Sequence, residues 1–78
     1  MNIKIKKLHP NAIIPKYAKI GDAGLDLTAV DCEINGFYIT YKTGLAIAIP
    51  EGFVGFLFPR SSVYKTGQYL TNSVGVID

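Results

Sequence analysis

Apolar residues along this chain recur with a period of two, in short runs that glycine and proline interrupt. In "NIKIKKL", Ile3 and Ile5 alternate with Lys4 and Lys6, which predicts a strand with one apolar and one wet face. In "GLAIAIP", Leu45, Ile47 and Ile49 alternate with Ala46 and Ala48, and the small alanines predict a second face that is covered too. "FVGFLFP" is apolar throughout, the pattern of a strand buried on both faces. "FYITYKT" and "NSVGVI" complete the set. Gly and Pro from Pro10 to Gly75 leave no stretch long enough for a stable helix. Short strands at this spacing predict an all-β sandwich or barrel. There is no repeat, low-complexity tract or linker, so residues 1–78 read as a single domain.

At 78 residues the core is modest, and domains this small need help from disulfides, metals or partners. Cys32 is the only cysteine and His9 the only histidine, which excludes an internal disulfide and a zinc site built from these residues. Oligomerisation, or further sequence, is therefore the expected source of additional stability. With 49% apolar and 18% charged residues the composition is that of a globular chain. The net charge of +2 is spread over scattered lysines apart from Lys6–Lys7, which argues against a nucleic-acid-tracking surface. No run approaches the roughly 20 apolar residues that span a bilayer, and "MNIKIKK" lacks a signal-peptide core. A cytoplasmic location without a membrane or nucleic-acid partner is the expectation. Cys32 is expected to be a small buried apolar group, and His9 and the Phe53–Phe58 cluster to be structural.

Three stretches depart from strands joined by plain turns. In "GDAGLDLTA", Asp22 and Asp26 flank Gly24 just before a short apolar run. This reads either as a turn acidified for solubility or as Asp26 facing a cation. In "FPRSSVYKTG", Arg60, Ser61 and Ser62 follow a strand at once, with Lys65 and Gly67 beyond. Arginine offers a planar fork of donors to phosphate, and serine hydroxyls and turn N–H groups add more. The plain alternative is a surface turn with an N-capping serine. In "TNSVGVID", Asn72 and Ser73 read as a hairpin turn leading to Val74, Val76, Ile77 and the terminal Asp78. Together the three supply an acid, a phosphate-type loop and a second acid, each at a strand edge. Divalent-metal-assisted phosphate chemistry needs that combination.

In order and spacing these stretches resemble the trimeric dUTP diphosphatases (dUTPases). "AGLDL" (23–27) is similar to the family's first motif, and "PRSS" (59–62) with "KTG" (65–67) to the second. "LTNSVGVID" (70–78) is similar to the first half of the third, and "AIIPKYAKIGDAG" to the approach to the first. The resemblance spans essentially all 78 residues. The second motif more commonly has Gly where this chain has Ser62, a variant shared with the related dCTP deaminases. The family also continues past the third motif's Asp, with a Tyr, a fourth motif and a Gly-rich arm. The chain therefore reads as the N-terminal half of such a domain.

The resemblance implies a jelly-roll-like β fold, a homotrimer with shared active sites, and Mg²⁺-dependent hydrolysis of dUTP to dUMP and pyrophosphate. It implies Asp78 as general base and Asp26 as the Mg²⁺ holder. Arg60, Ser61 and Ser62 would bind phosphate, and Asn72, Ser73, Val74 and Gly75 would read uracil. Two other readings share the resemblance: a non-catalytic dUTPase-like interaction or regulatory module, and a dCTP deaminase of the same fold.

Overall fold

The computed structural model describes residues 2–78. These fall into two compact units, Asn2–Ala48 and Ile49–Asp78. Both are built from β-strands, and the helical content of the described residues is a single four-residue 3₁₀ turn, Val63–Thr66. The all-β expectation stands.

In the first unit, β1 (Lys4–Lys7) pairs antiparallel with a strand over Leu45–Ala48, and β2 (Asp31–Asn35) with β3 (Tyr38–Lys42); the strand over Leu45–Ala48 is β4. The register of β1 on β4 sets Ile5 opposite Ile47, Lys4 opposite Ala48 and Lys6 opposite Ala46. The alanines thus share a face with lysines whose ammonium groups need water, and Ala46 and Ala48 are exposed. The expected cover over that second face is not present among the described residues.

One further bond extends each of these two sheets past its strands. Leu8 N–H donates to the Gly44 carbonyl at 2.7 Å and Val30 N–H to the Lys42 carbonyl at 2.8 Å. His9 closes the adjoining loop: its carbonyl accepts from Ala12 N–H at 3.0 Å and its Nδ1 from Asn11 N–H at 3.0 Å. His9 is therefore a loop-closing residue. Ala12, 3% exposed, is the one buried apolar residue among the described residues.

The pattern of strands read from the sequence omitted β2. Its alternation is of polar Asp31, Glu33 and Asn35 with Cys32 and Ile34, and it ends on Asn35–Gly36. Gly36 takes φ 62° as the first of two loop residues, the position where a type II′ hairpin turn favours glycine. One face of this hairpin is polar, with Lys42 Nζ 3.4 Å from Glu33 Oε2 and Asn35 Nδ2 3.4 Å from Thr40 Oγ1. The other carries Cys32, Ile34, Ile39 and Tyr41. Cys32 is exposed, not buried as expected, because no layer of the described chain lies over that face.

The second unit is a two-stranded antiparallel sheet of β5 (Gly55–Leu57) and β6 (Gly75–Ile77). Phe56 faces Val76, Leu57 faces Gly75, and Gly55 faces Ile77. The Phe56 and Phe58 rings lie 6.1 Å apart, tilted by 48°. "FVGFLFP" was expected to be buried on both faces, yet Phe56 is 57% exposed and Phe53, Val54 and Phe58 are exposed as well. A two-stranded ribbon has no second layer to stack on its faces. The hairpin expected at Asn72–Ser73 is also corrected. β6 pairs with β5, so the turn at 70–74 leads a strand into a sheet whose other member precedes it by the long connection 58–74.

Candidate functional site

The antiparallel pairing of β5 with β6 fixes the geometry of the second unit. Leu57, the last residue of β5, is opposite Gly75, the first of β6. The segment leaving β5 (Arg60, Ser61, Ser62) and the segment approaching β6 (Asn72, Ser73, Val74) therefore attach to one end of the sheet. Asp78 follows Ile77, which is opposite Gly55 at the other end. At about 3.3 Å per residue it lies roughly 10 Å along the strand from Gly75.

The loop after β5 is closed by main-chain hydrogen bonds. Val63 N–H donates to the Arg60 carbonyl and Lys65 N–H to the Ser62 carbonyl, both at 3.1 Å. Thr66 Oγ1 donates to the Val63 carbonyl at 2.6 Å and accepts from Gln68 N–H at 3.2 Å. Gly67, at φ 73°, ends the 3₁₀ turn in the left-handed conformation that favours glycine. Ser62 sits at the N-cap position of that turn, but its hydroxyl makes no capping hydrogen bond. The plain reading of this stretch, a serine spent on capping, is not what the loop contains. Lys65 Nζ lies 5.9 Å from the centre of the Tyr64 ring, so its charge stays beside the loop.

The turn before β6 is tighter. Ser73 N–H donates to the Leu70 carbonyl at 2.9 Å and Val74 N–H to the Asn72 carbonyl at 2.6 Å. Gly75 stands where a side chain would be tight. A Cβ there would come within 3.1 Å of Leu57 Cβ, and the Asn72 amide nitrogen would be its next polar neighbour at 3.9 Å. The missing side chain leaves room for the Asn72 carboxamide beside the strand.

Of the two acids around Gly24, Asp22 is used locally. Its Oδ2 accepts from Lys19 N–H at 2.9 Å while its own N–H donates to the Lys19 carbonyl at 3.2 Å, closing a turn with Gly21 at φ 89°. Asp26 is exposed and lies outside that turn. It belongs to the first unit, whereas the remaining candidates belong to the second. Among the described residues no group of three or more His, Cys, Asp or Glu is arranged to hold a metal. Such a donor set does not fit a metal caged by protein alone. A divalent cation such as Mg²⁺ needs only one or two carboxylates, because it takes its other ligands from water and phosphates.

The family model for dUTPase matches residues 10–78. The chain belongs to the dUTPase family. This dUTPase-family chain is 40% identical to the deoxyuridine 5'-triphosphate nucleotidohydrolase of Thermobifida fusca, an alignment covering 100% of the chain and 45% of that protein. It is 44% identical to the protein of the same name from Picosynechococcus, covering 100% of the chain and 57% of the relative. With the Hydrogenobaculum protein of that name the identity is 42%, with 100% and 57% covered. The chain thus spans about half the length of the curated relatives it matches. No solved structure gives a significant match. Among the described residues no helix is long and apolar enough to cross a membrane.

Proposed function

We propose that this chain supplies phosphate-binding, base-reading and water-activating groups for the hydrolysis of dUTP to dUMP and pyrophosphate. The observation that carries the reading is the β5–β6 pairing. It brings the Arg60–Ser62 loop and the Asn72–Gly75 turn to one sheet end, with Asp78 following Ile77 at the other end of β6. Membership of the dUTPase family and the names of the relatives point to the same substrate.

The chemistry assigns each residue a task. Asp78 orients a water and takes its proton as the water oxygen bonds to the α-phosphorus, in line with the breaking bond to the bridging oxygen. Pyrophosphate leaves and dUMP remains. The Arg60 fork and the Ser61 and Ser62 hydroxyls donate to phosphate oxygens and oppose the charge that builds there in the transition state. Asn72 presents one amide donor and one amide acceptor to the uracil edge, which offers the complementary acceptor and donor. Asp26 is the residue that would hold Mg²⁺, which when bound neutralises charge on the triphosphate. A homotrimer, in an intracellular setting where dUTP is available, is part of the same proposal. The apolar surface left open on Ile34, Phe56, Phe58 and Val76 supports assembly.

The test is pyrophosphate release from dUTP by the full natural polypeptide that contains these residues. Asp78→Asn is expected to abolish turnover while nucleotide affinity stays within a few-fold. Equal turnover of dUTP and dTTP, or full activity of the Asp78→Asn variant, would sink the proposal.

A further inference from the structure

Ser73 stands alone in the backbone. Among the described residues it is the one non-glycine with a positive φ, 63°. The Val74 N–H to Asn72 carbonyl hydrogen bond spans it at 2.6 Å. A residue at positive φ bridged by such a bond is the centre of a γ-turn of the rare, strained kind. Nothing in serine favours this conformation, since its Cβ makes positive φ costly. Glycine would occupy it without strain. Strained residues of this kind concentrate where a ligand must meet a fixed surface.

The turn has two further consequences. The N–H groups of Ser73 and Val74 are both used inside it, on Leu70 and Asn72. They are therefore committed to holding the turn rather than to a base. The group the turn presents is the Asn72 carboxamide, which lies next to the bare Cα of Gly75. We infer that Ser73 is a positioning residue for base selection: its confined positive-φ conformation holds the 72–74 turn rigid, so that the Asn72 carboxamide and the adjacent main chain form a wall that cannot yield to an added methyl group. The inference rests on the uracil-reading role proposed above for this turn.

The confinement at positive φ is what matters. A residue with a Cβ placed there has little room to fluctuate, whereas glycine at the same mean φ samples a broad basin. A base that differs from uracil by one methyl is rejected only by a surface that does not move. Hydrophobic pockets distinguish a single methylene by about 10–200-fold at most, so rigidity is worth a large share of any discrimination.

The experiment compares Ser73→Gly and Ser73→Ala in the full natural polypeptide, measuring kcat/KM for dUTP and dTTP and the melting temperature. Ser73→Gly is expected to melt at or above the wild-type temperature, since the strain is relieved. Its dUTP-to-dTTP ratio is expected to fall about tenfold or more. Ser73→Ala keeps the Cβ and is expected to retain the wild-type ratio, because the backbone and not the hydroxyl carries the effect. Unchanged discrimination in Ser73→Gly overturns the inference, and so does an equal loss in Ser73→Ala. A wild-type protein with no preference for dUTP overturns instead the uracil-reading role on which the inference rests.

Discussion

Gly55 and Gly75 occupy the same face of one sheet, each opposite a large aliphatic residue, and an alanine at the two positions meets different obstacles. At Gly75 the new Cβ would lie 3.1 Å from Leu57 Cβ. That atom is fixed to the backbone of the neighbouring strand and cannot rotate away, so the strands must part by a few tenths of an ångström. At Gly55 the contact is also 3.1 Å, but with Ile49 Cδ1, the tip of a side chain that can change rotamer. Replacing glycine within a strand gains about 0.5–1 kcal/mol from the lost freedom of the unfolded chain. Overpacking that forces the backbone to shift costs about 1–3 kcal/mol. Gly75→Ala is therefore expected to destabilise by about 1 kcal/mol, and Gly55→Ala to be neutral or stabilising by about 0.5 kcal/mol. The gap of about 1.5 kcal/mol is roughly tenfold in an equilibrium constant, well within reach of amide exchange. Exchange protection at Phe56 and Val76 reports on opening of this sheet directly. Since the Asn72 amide lies beside the same Cα, the Gly75→Ala variant is also expected to weaken nucleotide binding. Equal protection in the two variants would refute the argument that fixed and mobile neighbours decide the outcome.

In the first unit, a Cβ at Gly44 would come within 2.7 Å of His9 Cβ and 3.3 Å of Ala12 Cβ at a φ of 68°. Gly44→Ala is expected to cost about 3 kcal/mol by combining left-handed strain with overpacking. Gly36→Ala, at φ 62° with no neighbour within 4 Å, should cost about 1 kcal/mol from strain alone, and denaturant midpoints separate the two. Cys32 is expected to react with iodoacetamide under native conditions within a few-fold of its rate in denaturant, because its thiol is exposed on β2. Protection of more than tenfold would show that the Cys32 face is covered in solution.

Much of the candidate chemistry was legible in the order of residues. Asp26, Arg60–Ser62 and Asn72–Asp78 stand out because turn and charged residues interrupt an otherwise apolar, period-two pattern. What misled was the meaning of apolarity. "FVGFLFP" and the Ala46–Ala48 face read as doubly covered because a sequence shows how apolar a strand is, not how many layers lie on it. The same holds for Cys32. β2 was missed because its alternation is carried by Cys32 and Ile34 among acids, a weak contrast until the Asn35–Gly36 turn is given its due.

By itself, then, the sequence determined the β class, the breaks between strands and the residue types available for phosphate chemistry. These depend on local preferences and on a side-chain period of two, which neighbours along the chain already express. Tertiary structure decided three things. It paired β6 with β5 across the connection 58–74 instead of through a tight hairpin at Asn72–Ser73, which brings Arg60 and Asn72 to one sheet end. It distinguished Asp22, used in closing a turn, from Asp26, which lies outside that turn. It also placed Ser73, a residue with no preference for positive φ, at φ 63°. Strand partners arise from contacts between distant residues, which exist only once the chain has folded, whereas the Asp22 and Ser73 turns are closed by bonds between residues two or three apart.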